Sequence, residues 1–467
     1  MEHPQLHTEA STSLATRKTP PGPTPRLRDA LSFLLFGAPD DLVNIYMDAA
    51  REFGDAVKFG VRPMIVYFFS HPDYVKHILQ DHNTNYGKHP VFNAQMKDLV
   101  GNGLLTSEGD VWRRRRRLLQ PAFHRQRIAA FVTVMAEATA ALLDRWHQQY
   151  MHTGQAFDVY SEMRRVTIAI VSRVFFGTDV SSFSDDLGQI ITTGTEYLSH
   201  RSRHPFAFPL KVPTARNRRT VAAIRQLDAI VYRIIAQHRR DNTDNGDLLS
   251  MLLAARDEDT GEGLTDQQLR DEVTTFLTAG YDTTAITLSW AWALLSTHPQ
   301  VRRTLQQEVA EVLNGQAPTL EDIPKLKYTR MVVDETLRLY PAAWAIVRMA
   351  ISDDEVGGYH VPAKTTVIVS PYVTHRHPQF WQNPEGFDPE RFSTERNAER
   401  PRYAYFPFSG GPRQCIGNEF SLLESTVILA MVTQRYDVNL APGSQVLMDS
   451  SFALRPRGGV QVTLDRA

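Results

Sequence analysis

Apolar positions recur along this chain with two periods. Spacing of three and four residues, which puts apolar side chains on one face of a helix, runs with interruptions over residues 109–239. It returns over 264–296, 320–339 and 418–435. The clearest break is 204–213 (HPFAFPLKVP), whose three prolines forbid one continuous helix. The stretch 264–296 reads as a single long helix, with Thr265 placed to cap it and Asp266, Asp271 and Glu272 in its early turns. Shorter runs alternate. Residues 55–69 are β-branched and aromatic around a Gly-Val-Arg-Pro turn and predict a hairpin, and 353–369 predict short strands. Residues 450–464 predict a terminal hairpin turning at Gly458-Gly459. The expectation is a mainly α fold with a minor β region.

The first 19 residues are polar, and the prolines at 20, 21, 23 and 25 make a stiff, helix-breaking stretch after them. Residues 1–19 are therefore expected to be a disordered leader, and 20–467 one folded domain. Lys plus Arg number 51 and Asp plus Glu 52, so the basic excess of a nucleic-acid binder is missing. The longest early apolar run, 31–37 (LSFLLFG), is far short of the roughly 20 residues of a membrane span. A cytoplasmic location is the expectation, and no membrane span is predicted. The glycines of Gly101-Asn102-Gly103 form no complete dinucleotide motif. The 16 histidines show no metal-ligand spacing.

There is one cysteine, Cys415, which rules out an intramolecular disulfide and a multi-cysteine zinc site. Its surroundings are Phe406-Pro407-Phe408-Ser409-Gly410-Gly411-Pro412-Arg413-Gln414-Cys415-Ile416-Gly417. The glycines let the backbone bend, and a helix start just beyond the sulfur favours a thiolate. This segment resembles the haem-binding loop of the cytochrome P450 family, of form Phe-x-x-Gly-x-Arg-x-Cys-x-Gly. Phe408, Gly411, Arg413, Cys415 and Gly417 fill its fixed places.

The resemblance implies haem b (iron protoporphyrin IX) as cofactor, with Cys415 as the metal ligand. A thiolate donates electron density to iron and favours O–O cleavage. Further family segments lie in the matching order. Glu335 and Arg338, three apart in a helical run, pair with Arg391 of Pro389-Glu390-Arg391-Phe392; the resemblance makes these three a structural lock. Ala279-Gly280-Tyr281-Asp282-Thr283-Thr284 matches the oxygen-activating helix. By position, Ala279 faces the haem, Thr283 is the hydroxyl near bound oxygen, Asp282 is the acid of a proton relay, and Thr284 supports them. Trp112 and Arg116 match a Trp-x-x-x-Arg pattern that reaches the haem propionates, and Arg348 and Arg413 match two further propionate positions. The run Arg113–Arg117 is otherwise a solvated face or a docking patch for a redox partner.

By the same resemblance, the substrate pocket is expected to include Phe92, Thr275, Phe276, Ala343, Trp344, Ile346 and Phe452. The segment 197–213 would be its lid. The implied reaction is insertion of one oxygen atom of O2 into a hydrophobic small molecule, such as a fatty acid, terpenoid or polyketide-like compound, by hydroxylation or epoxidation. Electrons are expected from a separate ferredoxin or flavodoxin with its reductase, and the protein is expected to be a monomer. The alternatives are a non-oxygenating rearrangement on the same fold and a non-enzymatic haem sensor.

Overall fold

The computed structural model describes residues 18–24, 41–61, 64–151, 153–177, 184–204, 207–241, 246–256 and 261–467. Most of the leader, the 31–37 run, the Arg62-Pro63 turn and residues 205–206 of the proline break lie outside the described residues.

The helices are α1 (Leu42–Phe53), α2 (Pro90–Val100), α3 (Gly109–Leu119), α4 (Val132–Gln149), α5 (Val159–Phe176), α6 (Ser184–Arg203), α7 (Ala215–Asp241), α8 (Leu248–Ala254), α9 (Asp266–Thr297), α10 (Pro299–Leu313), α11 (Lys327–Leu339) and α12 (Asn418–Arg435), with several shorter turns. Strands β1 (Ala56–Val61) and β2 (Met64–Phe69) form the expected hairpin. With β3 (Tyr86–Lys88), β5 (Ile346–Ala350) and β8 (Thr366–Val369) they build one sheet in the order β1-β2-β8-β5-β3. β6 (Asp354–Val356) pairs with β7 (Tyr359–Val361). The chain is thus mainly α with a small β region.

α9 is the axis of the helical body. Thr265 caps it in a reciprocal box with Gln268, and 21 of its 32 residues are buried. A helix buried nearly all round must be packed from every side. α5 lies along it, brought close at Gly280, where an added Cβ would sit 3.3 Å from Val171. The Gly101–Gly103 turn has a comparable reason. A Cβ on Gly103 would lie 2.4 Å from the Thr275 hydroxyl, and Asp271 and Glu272 accept the backbone N–H groups of Asn102 and Leu104, both at 2.9 Å.

Two expectations change. The helix expected over 320–339 starts at Lys327, preceded by a separate 3-10 turn at Ile323–Lys325. The terminal hairpin is not one. β11 (Arg455–Arg457) pairs with β10 (Leu447–Asp449), whereas β12 (Gln461–Arg466) pairs with β9 (Tyr436–Leu440) and β4 (Phe157–Asp158). Gly459, at φ 84°, is there because Asp158 closes on it: an added Cβ would lie 2.3 Å from the carboxylate. At the other end, His360 N–H donates to the Lys18 carbonyl at 2.9 Å and Lys58 N–H to the Pro21 carbonyl at 2.7 Å, so the backbone at Lys18 and Pro21 packs on the β region. No single helix among the described residues is long and apolar enough to cross a membrane.

Candidate active site

Cys415 sits at the mouth of α12. Its loop closes with the Cys415 N–H donating to the Phe408 carbonyl at 3.0 Å. Gly411, at φ 65°, rests on a neighbouring turn so closely that a Cβ would lie 1.9 Å from the Leu79 carbonyl oxygen. Burial pushes the Cys415 thiol pKa up, while the Gly417 N–H and the Arg116 charge pull it down. Arg116 donates from Nη1 to the Gln414 carbonyl at 2.9 Å. Cys415 keeps accessible surface.

Ala279 and Thr283, four apart on α9, are exposed in the midst of buried neighbours. The Thr283 hydroxyl donates back to the Ala279 carbonyl at 2.8 Å. Thr284 turns the other way: it is buried, and its hydroxyl lies 3.1 Å from that of Ser421, in the first turns of α12. This contact sets the 279–284 segment beside the helix that starts at the cysteine. Asp282 points elsewhere, towards α5. The Tyr160 hydroxyl donates to it at 2.8 Å, and Arg164 Nε lies 3.5 Å away. Neither partner could be found in the sequence, because each is more than 100 residues distant.

A cation cluster lies between β3, β5 and the cysteine loop. Lys88 faces Arg348 across the β3–β5 pair and donates to the carbonyls of Leu105 and Ser107. Arg413 donates to the same Ser107 carbonyl at 3.3 Å, and its guanidinium stacks 4.4 Å from the centre of the Trp112 ring. Burial, then Arg413 and Arg348, bring the Lys88 pKa down to about 7, and burial and Arg413 bring Arg348 down to about 10. The Glu108 carboxylate opposes both shifts without cancelling either. Arg116, expected among these cations, donates from Nη1 to the Gln414 carbonyl. Arg115, from the same arginine run, is buried against Glu272 at 2.7 Å. Only Arg113, Arg114 and Arg117 of the run are exposed.

Beneath the loop, Arg338 grips both oxygens of Glu335 at 2.6 and 2.7 Å, and Arg391 Nε reaches the same carboxylate at 3.3 Å; all three are buried. Arg338 also donates to the carbonyls of His375, Pro384 and Gly386. His375, which nothing in the sequence separates from an ordinary turn residue, is fully buried, and burial beside Arg338 holds its pKa far below the usual range. Neutral, it can donate from Nδ1 to the Arg338 carbonyl at 3.2 Å and accept the Phe406 N–H at Nε2, 2.9 Å away. The ion-pair network thus reaches the first residue of the cysteine loop through one imidazole.

A family model for cytochrome P450 matches residues 20–464. The chain belongs to the cytochrome P450 family. It is 37% identical to cyclooctatin synthase of Streptomyces melanosporofaciens over 88% of this chain and 87% of that protein. It is 34% identical to pentalenene oxygenase of Streptomyces avermitilis over 86% and 88%. The crystal structure of the cytochrome P450DA haem domain superposes with a TM-score of 0.87 at 26% identity, covering 96% of this chain and 98% of that one.

This P450 is a haem-thiolate monooxygenase. It uses O2, a redox partner and a hydrophobic substrate. The donor set fits haem b: a lone, accessible thiol, and a cluster of cations short of anions where two propionate carboxylates would restore balance.

The residues expected to contact substrate divide. Phe92 and Phe452 meet with ring centres 6.2 Å apart, and Ala343 is exposed. Phe276 does not join them. It packs into the helical core, 5.3 Å from Phe123 and 6.0 Å from Phe175. Trp344 likewise turns into the core beside Tyr46, 6.0 Å away. Thr275 and Ile346 are buried. An aromatic side chain is drawn wherever the most apolar surface can be covered.

Proposed function

We propose that Cys415 ligates the haem iron as a thiolate and that the space bordered by Cys415, Ala279, Thr283 and Ala343 is where haem and substrate meet. The observation that carries this reading is the exposure of Ala279 and Thr283 in the middle of a mostly buried helix tied, through Thr284 and Ser421, to the helix that follows Cys415. When bound, haem supplies the reductive activation of O2 and the transfer of one oxygen atom to a C–H or C=C bond. Arg348, Arg413 and Lys88, with Trp112 beneath Arg413, hold the propionates. Arg116 holds the cysteine loop by the Gln414 carbonyl and favours the thiolate by its charge.

Thr283 presents its hydroxyl to the oxygen side of the pocket. Its own proton is engaged with the Ala279 carbonyl, so its lone pairs are free to accept. Asp282 is the outer member of the relay. Tyr160 and Arg164 hold its carboxylate on the α5 side, and rotation about its side chain carries a proton towards Thr283.

The substrate is a terpenoid hydrocarbon or alcohol. Phe92, Ala343 and Phe452 offer apolar surface, and burying it contributes about 25 cal/mol per Å2. Arg201, near the proline break, donates from Nη1 to the Ala207 carbonyl. Two relatives carry names that fit: cyclooctat-9-en-7-ol 5-monooxygenase of Streptomyces melanosporofaciens, 36% identical over 84% of each chain, and pentalenene oxygenase.

The protein acts as a cytoplasmic monomer, 20–467 being its haem domain. Its electrons come from an acidic ferredoxin docking on Arg113, Arg114 and Arg117. Titrating cyclic terpenes, terpene alcohols and fatty acids against the Soret band tests the substrate class. Terpenes displacing the iron-bound water more tightly than fatty acids of equal carbon number is the expected result. Tight binding confined to fatty acids refutes it.

A further inference from the structure

The residues after the first hairpin contain a wide turn, His77–Asp81, closed by the His82 N–H donating five residues back to the His77 carbonyl at 2.8 Å. In an α-helix of 3.6 residues per turn, residues five apart point about 140° away from each other. The wider turn instead brings the two rings onto one face. His77 and His82 stack with centres 3.9 Å apart and planes 30° from parallel. Such π-type turns recur at functional sites.

Both rings face one oxygen of Asp354. His77 Nε2 lies 2.9 Å from Oδ2 and His82 Nδ1 3.3 Å from it, while the Tyr86 hydroxyl donates to the same oxygen at 2.9 Å. The other oxygen, Oδ1, accepts the Glu355 N–H at 2.8 Å. Three groups therefore crowd an oxygen with two lone pairs, more than hydrogen bonding alone needs. The ligand atoms of His77, His82 and Asp354 all lie within 4.8 Å of one another. A tetrahedral ion with bonds of about 2.0–2.1 Å keeps its ligands about 3.3 Å apart, so small shifts suffice to admit one.

We propose that His77, His82 and Asp354 bind a divalent transition-metal ion of the zinc class, with water in the fourth position. Two imidazoles and a carboxylate suit such an ion. Tyr86 orients the carboxylate from outside, as the partners of metal ligands do. His82 is half-exposed and leaves a way in, while Asp354 is largely covered. The bound ion ties the wide turn to β6. That turn carries the Leu79 carbonyl against Gly411 of the cysteine loop, and its Gln80 side chain accepts from the Tyr403 hydroxyl, which in turn accepts the Gly411 N–H. The ion braces the support on which the loop rests.

The test is equilibrium dialysis of the chelator-treated, haem-loaded full chain against Zn2+, beside His82→Ala, Asp354→Asn and Tyr86→Phe. The Soret spectrum checks that each is folded; His82, being half-exposed, is the substitution least able to disturb packing. The parent is expected to hold one tight equivalent. His82→Ala and Asp354→Asn should each weaken it more than about 100-fold, and Tyr86→Phe by about 10–100-fold. Zn2+ bound by the parent and His82→Ala with equal affinity overturns the site. So does loss in His82→Ala with none in Asp354→Asn, which would mean binding by surface histidines alone.

Discussion

Arg116 reaches across from α3 to the carbonyl of Gln414, 2.9 Å away, and so grips the cysteine loop one residue before its sulfur. A hydrogen bond from a charged donor contributes about 1.5–3 kcal/mol, and the same charge opposes the rise that burial imposes on the thiol pKa. Arg116→Leu is therefore expected to bind haem about 10–100-fold more weakly. It should also shift part of the reduced carbon monoxide complex to the shorter-wavelength band of a neutral thiol. An unchanged band and unchanged haem affinity would remove Arg116 from this role.

Thr283→Ala should retain haem and substrate but divert electrons to peroxide. Proton transfer by a positioned group is worth about 10²–10⁴-fold, so product per NAD(P)H should fall sharply while substrate affinity changes little. Unaltered coupling in Thr283→Ala would count against the relay.

Glu335→Ala leaves Arg338 and Arg391 as buried cations without their carboxylate. Breaking a buried pair from one side costs about 3–5 kcal/mol. Through His375 the disturbance reaches Phe406, so the variant should fail to accumulate a haem-loaded form. Normal haem content with a parent-like melting temperature would contradict this.

Lys88 gives a pH test of the cofactor site. In the cation cluster its pKa falls to about 7, from 10.5 when free. Between those values the folded haem-free chain holds fewer protons than the unfolded chain, so this group's contribution to stability rises with pH from about 7 to 10.5. Two propionates would raise the folded value again. Haem binding near pH 8 should therefore take up protons, seen by calorimetry in buffers of different ionisation heat, and Lys88→Met should lose most of that uptake. Equal uptake in the variant would take Lys88 out of the site.

The parts legible in the sequence are those that are local along the chain. The cysteine loop, the Thr265-capped helix, the 418–435 helix and the first hairpin each draw their shape from a few adjacent residues. The Glu335–Arg338 pair is visible because helical spacing places both on one face. The features that escape a sequence reading depend on partners far apart. Lys88 meets Arg348 only across β3 and β5, Arg115 finds Glu272 only when α3 crosses α9, and nothing near Asp282 announces Tyr160. Trp344 and Phe276 are assigned to the pocket by resemblance to the family, whereas in the fold both pack into apolar clusters whose other members lie far off in the chain. Gly458-Gly459 suggests a hairpin turn, but two glycines mark a bend, not which strands pair on either side.

Ligation by Cys415 is tested most directly by the absorption spectrum of the reduced carbon monoxide complex in the parent and in Cys415→Ser. The parent should give the long-wavelength band of thiolate ligation, and the variant should lose it and its oxygenase activity together. Persistence of that band in Cys415→Ser would contradict ligation by Cys415 and the site built around it.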